Sequence, residues 1–283
     1  MKPGTDDRGR VGGPSAASDQ RILELMEANK IPRPDHDLLA NIYRRRGDLA
    51  AAAMEYARLH DSGNPAPAVA LFHALFRQQR VPPRWPQTEF APAPFVLWQN
   101  LLDAPANQAI LDEAIARQAG FRPTELSKLD PYGKQGRTNL VNYDTGTSGL
   151  LVRALVEQQL AHICERLNMP VFALELFHLK FASYLHGDFF HAHQDNGSNN
   201  PGRRISFIYY FNLEPKPYSG GDLILYDSRF APRAYVRSQY TRIIPQNNSM
   251  IFFPSEYFHE VSPIESRNGE FMHSRFTLAG HIG

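Results

Sequence analysis

The sequence predicts an α+β protein in which helices come first and short strands follow. Apolar residues recur at helical spacing between residues 19 and 80. Beyond residue 170, runs of β-branched and aromatic residues alternate with glycine and proline turns, which is typical of strands. Between these halves, five prolines within residues 81–94 cannot sustain a helix and indicate an extended linker. We therefore expect a helical region, a linker and a strand-rich domain over residues 95–283.

The composition excludes several classes of protein. The 283 residues include 30 basic and 29 acidic side chains, so the net charge favours neither nucleic acid nor an anionic membrane as partner. The single cysteine, Cys164, excludes an internal disulfide framework and fits a reducing compartment. No apolar run approaches the roughly 20 residues that span a bilayer, and the N-terminus lacks a signal-peptide core. We expect a soluble, cytoplasmic protein of undetermined oligomeric state.

The first 80 residues divide into a leader and a helical region. Residues 1–18 contain almost no large apolar side chain and are predicted to be a disordered leader. Residues 19–80 are predicted to be helical, and the stretch 38–59, with Gly47 at its turn, resembles one tetratricopeptide-like helical pair. Residues 68–77 are a possible continuation. Because about three repeats are needed for an independent array, a helical cap on the following domain is the favoured interpretation, and a true repeat unit is the alternative.

Within residues 95–283 the pattern predicts helices first and then mainly strands. Residues 95–98 form a short strand, 107–119 and 150–167 form helices, and 172–177 form another strand. The following strands are expected at 203–212, 218–226, 248–254 and 274–280. Gly220 and Gly221 supply the turn that opens one of them. Residues 255–263 are expected to be a loop.

The most informative motif is His193-Gln-Asp195, with His259 well downstream. Side chains at i and i+2 of an extended segment point the same way, so His193 and Asp195 are able to bind one ion together. Two imidazoles and one carboxylate suit non-haem Fe(II) and leave positions open on the opposite side. Taken alone, His193 is better explained as a buried histidine and Asp195 as a turn residue. The occurrence of His259 and Arg275 in the right order downstream favours the metal site instead. His191 is a ligand only if the pairing with Asp195 is abandoned.

The motifs form a recognisable set in this order. A Tyr and a Gly precede the His-x-Asp, and a Tyr-Tyr-Phe-Asn strand, a Gly-Gly turn and a Phe-Phe-Pro strand follow it. A distal His-Glu-Val-x-Pro and an Arg-x-Thr complete the set. Over residues 90–283 the chain resembles the prolyl-4-hydroxylase branch of the Fe(II)- and 2-oxoglutarate-dependent dioxygenases. The resemblance implies a double-stranded β-helix, a jelly-roll or cupin-like barrel, buttressed by helices.

The resemblance also implies roles for individual residues. His193, Asp195 and His259 would bind Fe(II). Arg275 is expected to bind the C5 carboxylate of 2-oxoglutarate, because a planar guanidinium grips a carboxylate with two parallel hydrogen bonds. Thr277, on the same strand face, would add a hydroxyl. Tyr210 and Tyr184 are expected at the same cosubstrate, with ordinary core packing as their alternative. Arg267 competes with Arg275 but lies in a polar, turn-like run.

The expected activity is hydroxylation of a C–H bond, most simply of a prolyl residue in a peptide or protein. The resemblance implies Fe(II), 2-oxoglutarate and O2, with succinate and CO2 released and ascorbate as a possible reductant. Asp195 favours oxygen transfer, because related halogenases have a small residue in its place. The family more often has tryptophan where His281 stands. A small-molecule or amino-acid hydroxylase is the alternative, and a non-catalytic binding scaffold is a remote one.

Overall fold

The computed structural model describes residues 16–32, 35–77, 79–82, 87–124, 136–197, 200–266 and 269–283. These residues fall into two compact units. The first contains residues up to Ala93 together with Leu225–Arg242, and the second contains Pro94–Ile224 and Ile243–Gly283. The second unit begins at the end of the proline-rich stretch 81–94. The sequence placed residues 225–242 in the C-terminal domain, whereas they group with the N-terminal helices.

Helices dominate the first half of the chain and strands the second. The helices are α1 (Ala16–Glu27), α2 (His36–Arg46), α3 (Leu49–Asp61), α4 (Pro67–Phe76), α5 (Ala104–Ala116) and α6 (Gly146–Arg166). The strands are β1 (Val96–Gln99), β2 (Arg122–Pro123), β3 (Leu140–Asn142), β4 (Phe177–Tyr184), β5 (Phe190–His193), β6 (Ile205–Phe211), β7 (Tyr218–Gly220), β8 (Leu223–Phe230), β9 (Arg233–Ile243), β10 (Ser249–Pro254), β11 (His259–Val261), β12 (Ile264–Ser266) and β13 (Arg275–Ile282).

Helices α1 to α4 make up most of the first unit, and the helical pair that the sequence predicts is α2 and α3. Asp35 caps α2 by accepting a hydrogen bond from the backbone N–H of Leu38. Gly47 ends α2 with φ of 79°, a left-handed conformation that favours glycine. Asp48 then caps α3 through the N–H of Ala51. The predicted leader, 1–18, is too long by three residues, because α1 begins at Ala16; the rest of it lies outside the described residues.

A buried ion pair explains why residues 225–242 belong to the first unit. Two nitrogens of Arg44, on α2, donate to the two carboxylate oxygens of Asp227, on β8, at 3.0 and 3.1 Å. Both side chains are almost inaccessible to solvent. Next to Asp227, the backbone of Ser228 exchanges hydrogen bonds with Ala91. Burial of one charge without the other is costly, so the pair fixes this segment to the helices. Periodicity gives no sign of a contact between such distant residues.

The second unit is built on a seven-stranded sheet with the order β1-β10-β6-β13-β4-β3-β2. Side chains alternate between the two faces of each strand. On β6, Phe207, Tyr209 and Phe211 join the main apolar core with residues of α5 and α6. Ser206 and Tyr210 therefore lie on the opposite face. This alternation leaves one face of the sheet for packing and the other for polar chemistry.

Two shorter pairings complete the second unit. Strand β5 pairs antiparallel with β11, and β7 pairs with β12. The predicted loop 255–263 is thus wrong at His259, which starts β11. The predicted strand 172–177 is also wrong, because β4 begins only at Phe177. Among the described residues, no helix combines the length and apolar character needed to cross a bilayer.

Candidate metal centre

Three predicted metal ligands meet at one point in the second unit. His193 is the last residue of β5 and His259 is the first residue of β11, and the antiparallel register places them directly opposite each other. Asp195 follows His193 by two residues, in a bend beyond the strand. One ligand atom from each of the three residues lies within 4.8 Å of the others. Strand pairing therefore joins residues that are far apart in the sequence.

Backbone carbonyls orient both imidazoles. Nδ1 of His193 lies 2.8 Å from the carbonyl oxygen of His191, and Nδ1 of His259 lies 3.0 Å from that of Tyr257. Each ring therefore uses its Nδ1–H as a donor and keeps Nε2 as the free acceptor. The Nε2 atoms are 3.5 and 3.3 Å from the two carboxylate oxygens of Asp195. This is the arrangement in which neutral imidazoles ligate a metal.

Hydrogen bonds also fix the carboxylate of Asp195. Ser206 Oγ donates to Asp195 Oδ2 at 2.7 Å, and Ser255 Oγ is 2.8 Å from Ser206 Oγ. His281 Nδ1 lies 3.3 Å from Ser206 Oγ and 3.5 Å from Asp195 Oδ2. Burial opposes ionisation of Asp195, but the nearby imidazoles of His281 and His259 hold its pKa well below its usual range. The site therefore presents an ionised carboxylate.

The two candidate ligand histidines respond differently to this carboxylate. Burial and the neighbouring imidazole of His259 lower the pKa of His193, which favours its neutral, ligating form. Burial also acts to lower the pKa of His259, but Asp195 overcomes that effect and raises it. A divalent cation would replace a proton as the partner of the carboxylate. The donor set suits a metal ion with open coordination positions.

A second cluster, His60, Asp61 and His73 in the first unit, has ligand atoms equally close together. Its two imidazole rings stack in parallel, with centroids 3.8 Å apart and an interplanar angle of 1°. A metal ion binds a histidine nitrogen in the plane of the ring. One ion cannot lie in two parallel planes at this separation, so this cluster does not match the geometry of the first.

Arg275, the predicted carboxylate anchor, is the first residue of β13 and is buried. Its Nε donates to the backbone carbonyl of Gly221 at 2.7 Å. The guanidinium carbon lies 5.0 Å from the ring centre of Tyr184 and 5.1 Å from that of Tyr210. One terminal nitrogen, Nη2, has no hydrogen-bond partner among the described residues. Thr277, two residues along β13, is buried opposite Tyr210.

Two phenol groups near this arginine also lack partners. The hydroxyls of Tyr210 and Tyr218 are buried and have no hydrogen-bond partner within the described part of the chain. Burial raises the pKa of Tyr210 to about 12, with Arg275 acting against the shift. Burial likewise raises the pKa of Tyr218, again opposed by Arg275. Buried donors without acceptors fit a ligand that brings oxygen atoms, such as a carboxylate. The sequence did not single out Tyr218, because a tyrosine at a strand start is common.

The candidate metal site opens into a cavity of about 710 Å³ in the second unit. The cavity walls include all three candidate ligands and Tyr184. They also include Arg137, Lys180 and Arg203, which sequence reasoning did not identify as site residues. These cations come from three separate parts of the chain, so no local pattern connects them. Arg267, the rival of Arg275, lies outside the described residues.

Comparisons with known proteins show the family of the chain. The model of the 2OG-Fe(II) oxygenase superfamily matches residues 179–283, which contain the three candidate ligands and Arg275. An uncharacterized PKHD-type hydroxylase of Synechocystis sp. is 31% identical over 239 residues, covering 83% of this chain and 76% of that protein.

Solved structures with a similar fold include two prolyl hydroxylases. A prolyl hydroxylase of Trichoplax adhaerens, in complex with a hypoxia inducible factor peptide fragment, has a TM-score of 0.50 and 17% identity over 66% of this chain and 82% of that one. A prolyl-4-hydroxylase of Pseudomonas putida has a TM-score of 0.49 and 20% identity over 66% of this chain and 91% of that one. The double-stranded β-helix fold predicted from the sequence is confirmed by the match to the first of these structures.

Proposed function

Because the chain belongs to the 2-oxoglutarate- and Fe(II)-dependent oxygenases, as a hydroxylase of the prolyl-4-hydroxylase type, we propose that it hydroxylates a prolyl residue in a peptide or protein. The reaction would consume 2-oxoglutarate and O2 and release succinate and CO2. The observation that carries the proposal is the convergence of His193, Asp195 and His259 within 4.8 Å. A similar fold in a prolyl hydroxylase with a bound peptide supports the choice of a peptide substrate.

Each residue of the candidate metal site has a distinct proposed role. His193 and His259 would hold Fe(II) through the Nε2 atoms that their Nδ1 hydrogen bonds leave free. Asp195 would supply the single negative ligand, and Ser206 would keep its second oxygen oriented. When bound, the iron supplies the O2-activating, C–H-cleaving chemistry of the family. The protein groups position the ion and exclude competing ligands.

The cosubstrate is assigned to the polar groups around Arg275. Its partnerless Nη2 would donate to the C5 carboxylate of 2-oxoglutarate, and the Tyr210 hydroxyl would donate to the same group. Thr277 and Tyr184 are assigned to the same cosubstrate, Thr277 from β13 and Tyr184 from the cavity wall. This carboxylate would satisfy buried donors that otherwise remain unpaired. Ascorbate is the proposed reductant for iron that oxidises without turnover.

A hydroxylase of a small molecule or free amino acid is the second candidate. It is favoured by the cavity itself, because about 710 Å³ beside the candidate metal ligands is enough for a compact substrate. A non-catalytic scaffold has less support, because the three candidate metal ligands lie together and the sequence keeps an arginine, Arg275, as candidate anchor. A chain that had lost activity would be free to lose at least one of them.

Product analysis distinguishes the two candidates. The purified protein would be incubated with Fe(II), 2-oxoglutarate and O2, and separately with proline-containing peptides and with free amino acids. Mass spectrometry would detect the gain of one oxygen atom, and succinate would be quantified in the same samples. Hydroxylated prolyl peptides are the expected product. Oxygen incorporation only into free small molecules would refute the peptide assignment and leave the family chemistry intact.

A further inference from the structure

Three cationic side chains line the active-site cavity, and they outnumber its carboxylates. Arg137, Lys180 and Arg203 are cavity-lining residues, and Asp195 is the only acidic residue among the described residues that line it. The chain as a whole is almost neutral, with a net charge of +1. The positive charge is therefore concentrated at the cavity and is not a property of the whole chain. We call these three residues the cationic cluster.

The members of the cationic cluster influence one another electrostatically. The pKa of Lys180 is lowered to about 8, mainly by burial and also by the charges of Arg137 and Arg203, while Asp195 acts against them. Burial also lowers the pKa of Arg137. Three partly buried cations that repel one another are costly to hold together. An arrangement of this kind indicates an anionic ligand that relieves the repulsion.

The contacts of the cluster leave donors available. Arg137 lies over the ring of Phe190, with 5.1 Å between the guanidinium carbon and the ring centre. Arg203 has one nitrogen 3.5 Å from Nδ1 of His178, and its buried Nε has no partner among the described residues. Within that part of the chain, no cluster residue pairs with a carboxylate in the way that Arg117 pairs with Glu113.

The proposed cofactors do not neutralise this charge. Fe(II) carries two positive charges, Asp195 carries one negative charge, and 2-oxoglutarate carries two. Arg275 is already assigned to one of the two cosubstrate carboxylates. The loaded centre, counted with Arg275, is therefore neutral, and the cationic cluster remains without counter-charge. A substrate that carries an anionic group would supply this counter-charge.

We propose that the cationic cluster binds a carboxylate of the substrate and so selects acidic substrates for hydroxylation. The proposal rests on the hydroxylase function proposed above and specifies its substrate class. A carboxylate is the anion concerned because it is the one that unmodified amino acids and peptides carry at neutral pH. It has two sources, an acidic side chain next to the target residue or a free α-carboxylate. Lys180 lines the cavity on the same strand, β4, as Tyr184, and is therefore the member of the cluster chosen first for substitution.

Binding without turnover tests the charge preference directly. The protein would be loaded with 2-oxoglutarate and with Mn(II) in place of Fe(II), and binding would be measured by calorimetry. One probe pair is N-acetyl-Glu-Pro-amide against its Gln-Pro counterpart, and the other is N-acetylproline against N-acetylprolinamide. We expect the acidic member of at least one pair to bind about tenfold more tightly. The pair that shows the preference identifies the source of the carboxylate.

Substitutions in the cationic cluster test whether its residues cause the preference for acidic probes. Lys180→Gln should reduce the difference within the responding pair to about twofold or less, and Arg137→Gln should reduce it as well. Lys30→Gln, an exposed lysine of the first unit, is the matched control and should retain the full preference. Unchanged affinity for 2-oxoglutarate in the Lys180 variant would show that the site is folded.

Two outcomes would overturn the proposal: equal affinity for both members of each pair, or no binding of any probe. If instead the prolyl hydroxylase function is wrong, the turnover assay and the binding assay give different results. In that case no prolyl peptide gains oxygen in the turnover assay, while the preference for acidic probes and its loss in Lys180→Gln are still measured.

Discussion

Arg275 donates from Nε to the backbone carbonyl of Gly221 over 2.7 Å, and Gly221 itself has φ of +65°. A Cβ at this glycine would lie 2.5 Å from Cδ of Arg275 and 3.0 Å from its Nε. The sequence explained Gly221 only as a turn residue. The close approach gives it a second role, because the lack of a side chain lets the arginine lie against the backbone.

Gly221→Ala should therefore weaken 2-oxoglutarate binding by displacing Arg275. The matched control is Gly187→Ala. Gly187 also has a positive φ, of +82°, but a Cβ added there would have no other atom within 4 Å among the described residues. Both variants should lose about 1–2 kcal/mol of stability from the left-handed backbone. Only Gly221→Ala should reduce cosubstrate affinity, by about tenfold, measured by calorimetry with Mn(II) present. Equal affinities in the two variants would exclude the positioning role.

Substitution of Arg275 tests the cosubstrate anchor itself. Arg275→Gln removes the charge and the partnerless Nη2 donor, so the KM for 2-oxoglutarate should rise by about 10- to 100-fold. Tyr210→Phe removes one neutral donor and should have a smaller effect. Arg267→Gln is the control that decides between the two arginines of the sequence interpretation, and its KM should stay near that of the wild type. A large effect at Arg267 and none at Arg275 would reverse the assignment.

The metal assignment predicts which histidines are required for iron. His193→Ala and His259→Ala each remove one ligand, so both should lose bound Fe(II), measured as iron per protein chain after desalting. His191→Ala and His60→Ala are the controls and should keep the wild-type iron content. Retention of iron by His259→Ala, or its loss from His60→Ala, would place the metal elsewhere.

The order of motifs was sufficient to predict the family fold and to name His193, Asp195 and His259, which the structure brings within 4.8 Å of one another. The roles of these residues and of Arg275 stay predictions. Contacts between distant parts of the chain were not predictable in this way. Arg44 and Asp227 are separated by 183 positions, and neither lies in a motif. Lys180 likewise lies in no motif, and only the structure brings it into one cavity wall with Arg137 and Arg203.

The strand predicted at 172–177 shows the limit of alternation as a signal. Phe172 and Leu174 do pack against the main core, as an alternating pattern implies. The backbone N–H groups of Glu175 and Leu176, however, both donate to the carbonyl of Gly283. The N–H of Gly283 in turn donates to the carbonyl of Leu176. These bonds all involve Gly283 and do not continue as a strand ladder. Apolar spacing reports which side is buried, and hydrogen-bond partners decide whether a strand forms.

Glu113, on α5, caps the N-terminus of α6 and makes stability depend on pH. It accepts hydrogen bonds from the backbone N–H and hydroxyl of Ser148 at 2.8 and 2.5 Å, and Thr147 donates in the same way at 3.1 and 2.9 Å. Burial opposes its ionisation, but the hydrogen bonds from Ser148 and Thr147 lower its pKa to about 2. The helix N-terminus favours the same negative charge.

Because the folded pKa lies below the usual carboxyl value of about 4.3, the stabilisation by Glu113 is complete above that pH and is lost as the pH falls toward about 2. Glu113→Gln should therefore cost about 1–2 kcal/mol at neutral pH, allowing for solvent screening. Urea denaturation should show the difference from wild type narrowing below about pH 4. Glu157→Gln, which breaks an exposed pair with Arg153, should cost under about 0.5 kcal/mol. A Glu113→Gln deficit that does not change with pH would mean that packing, rather than charge, is lost.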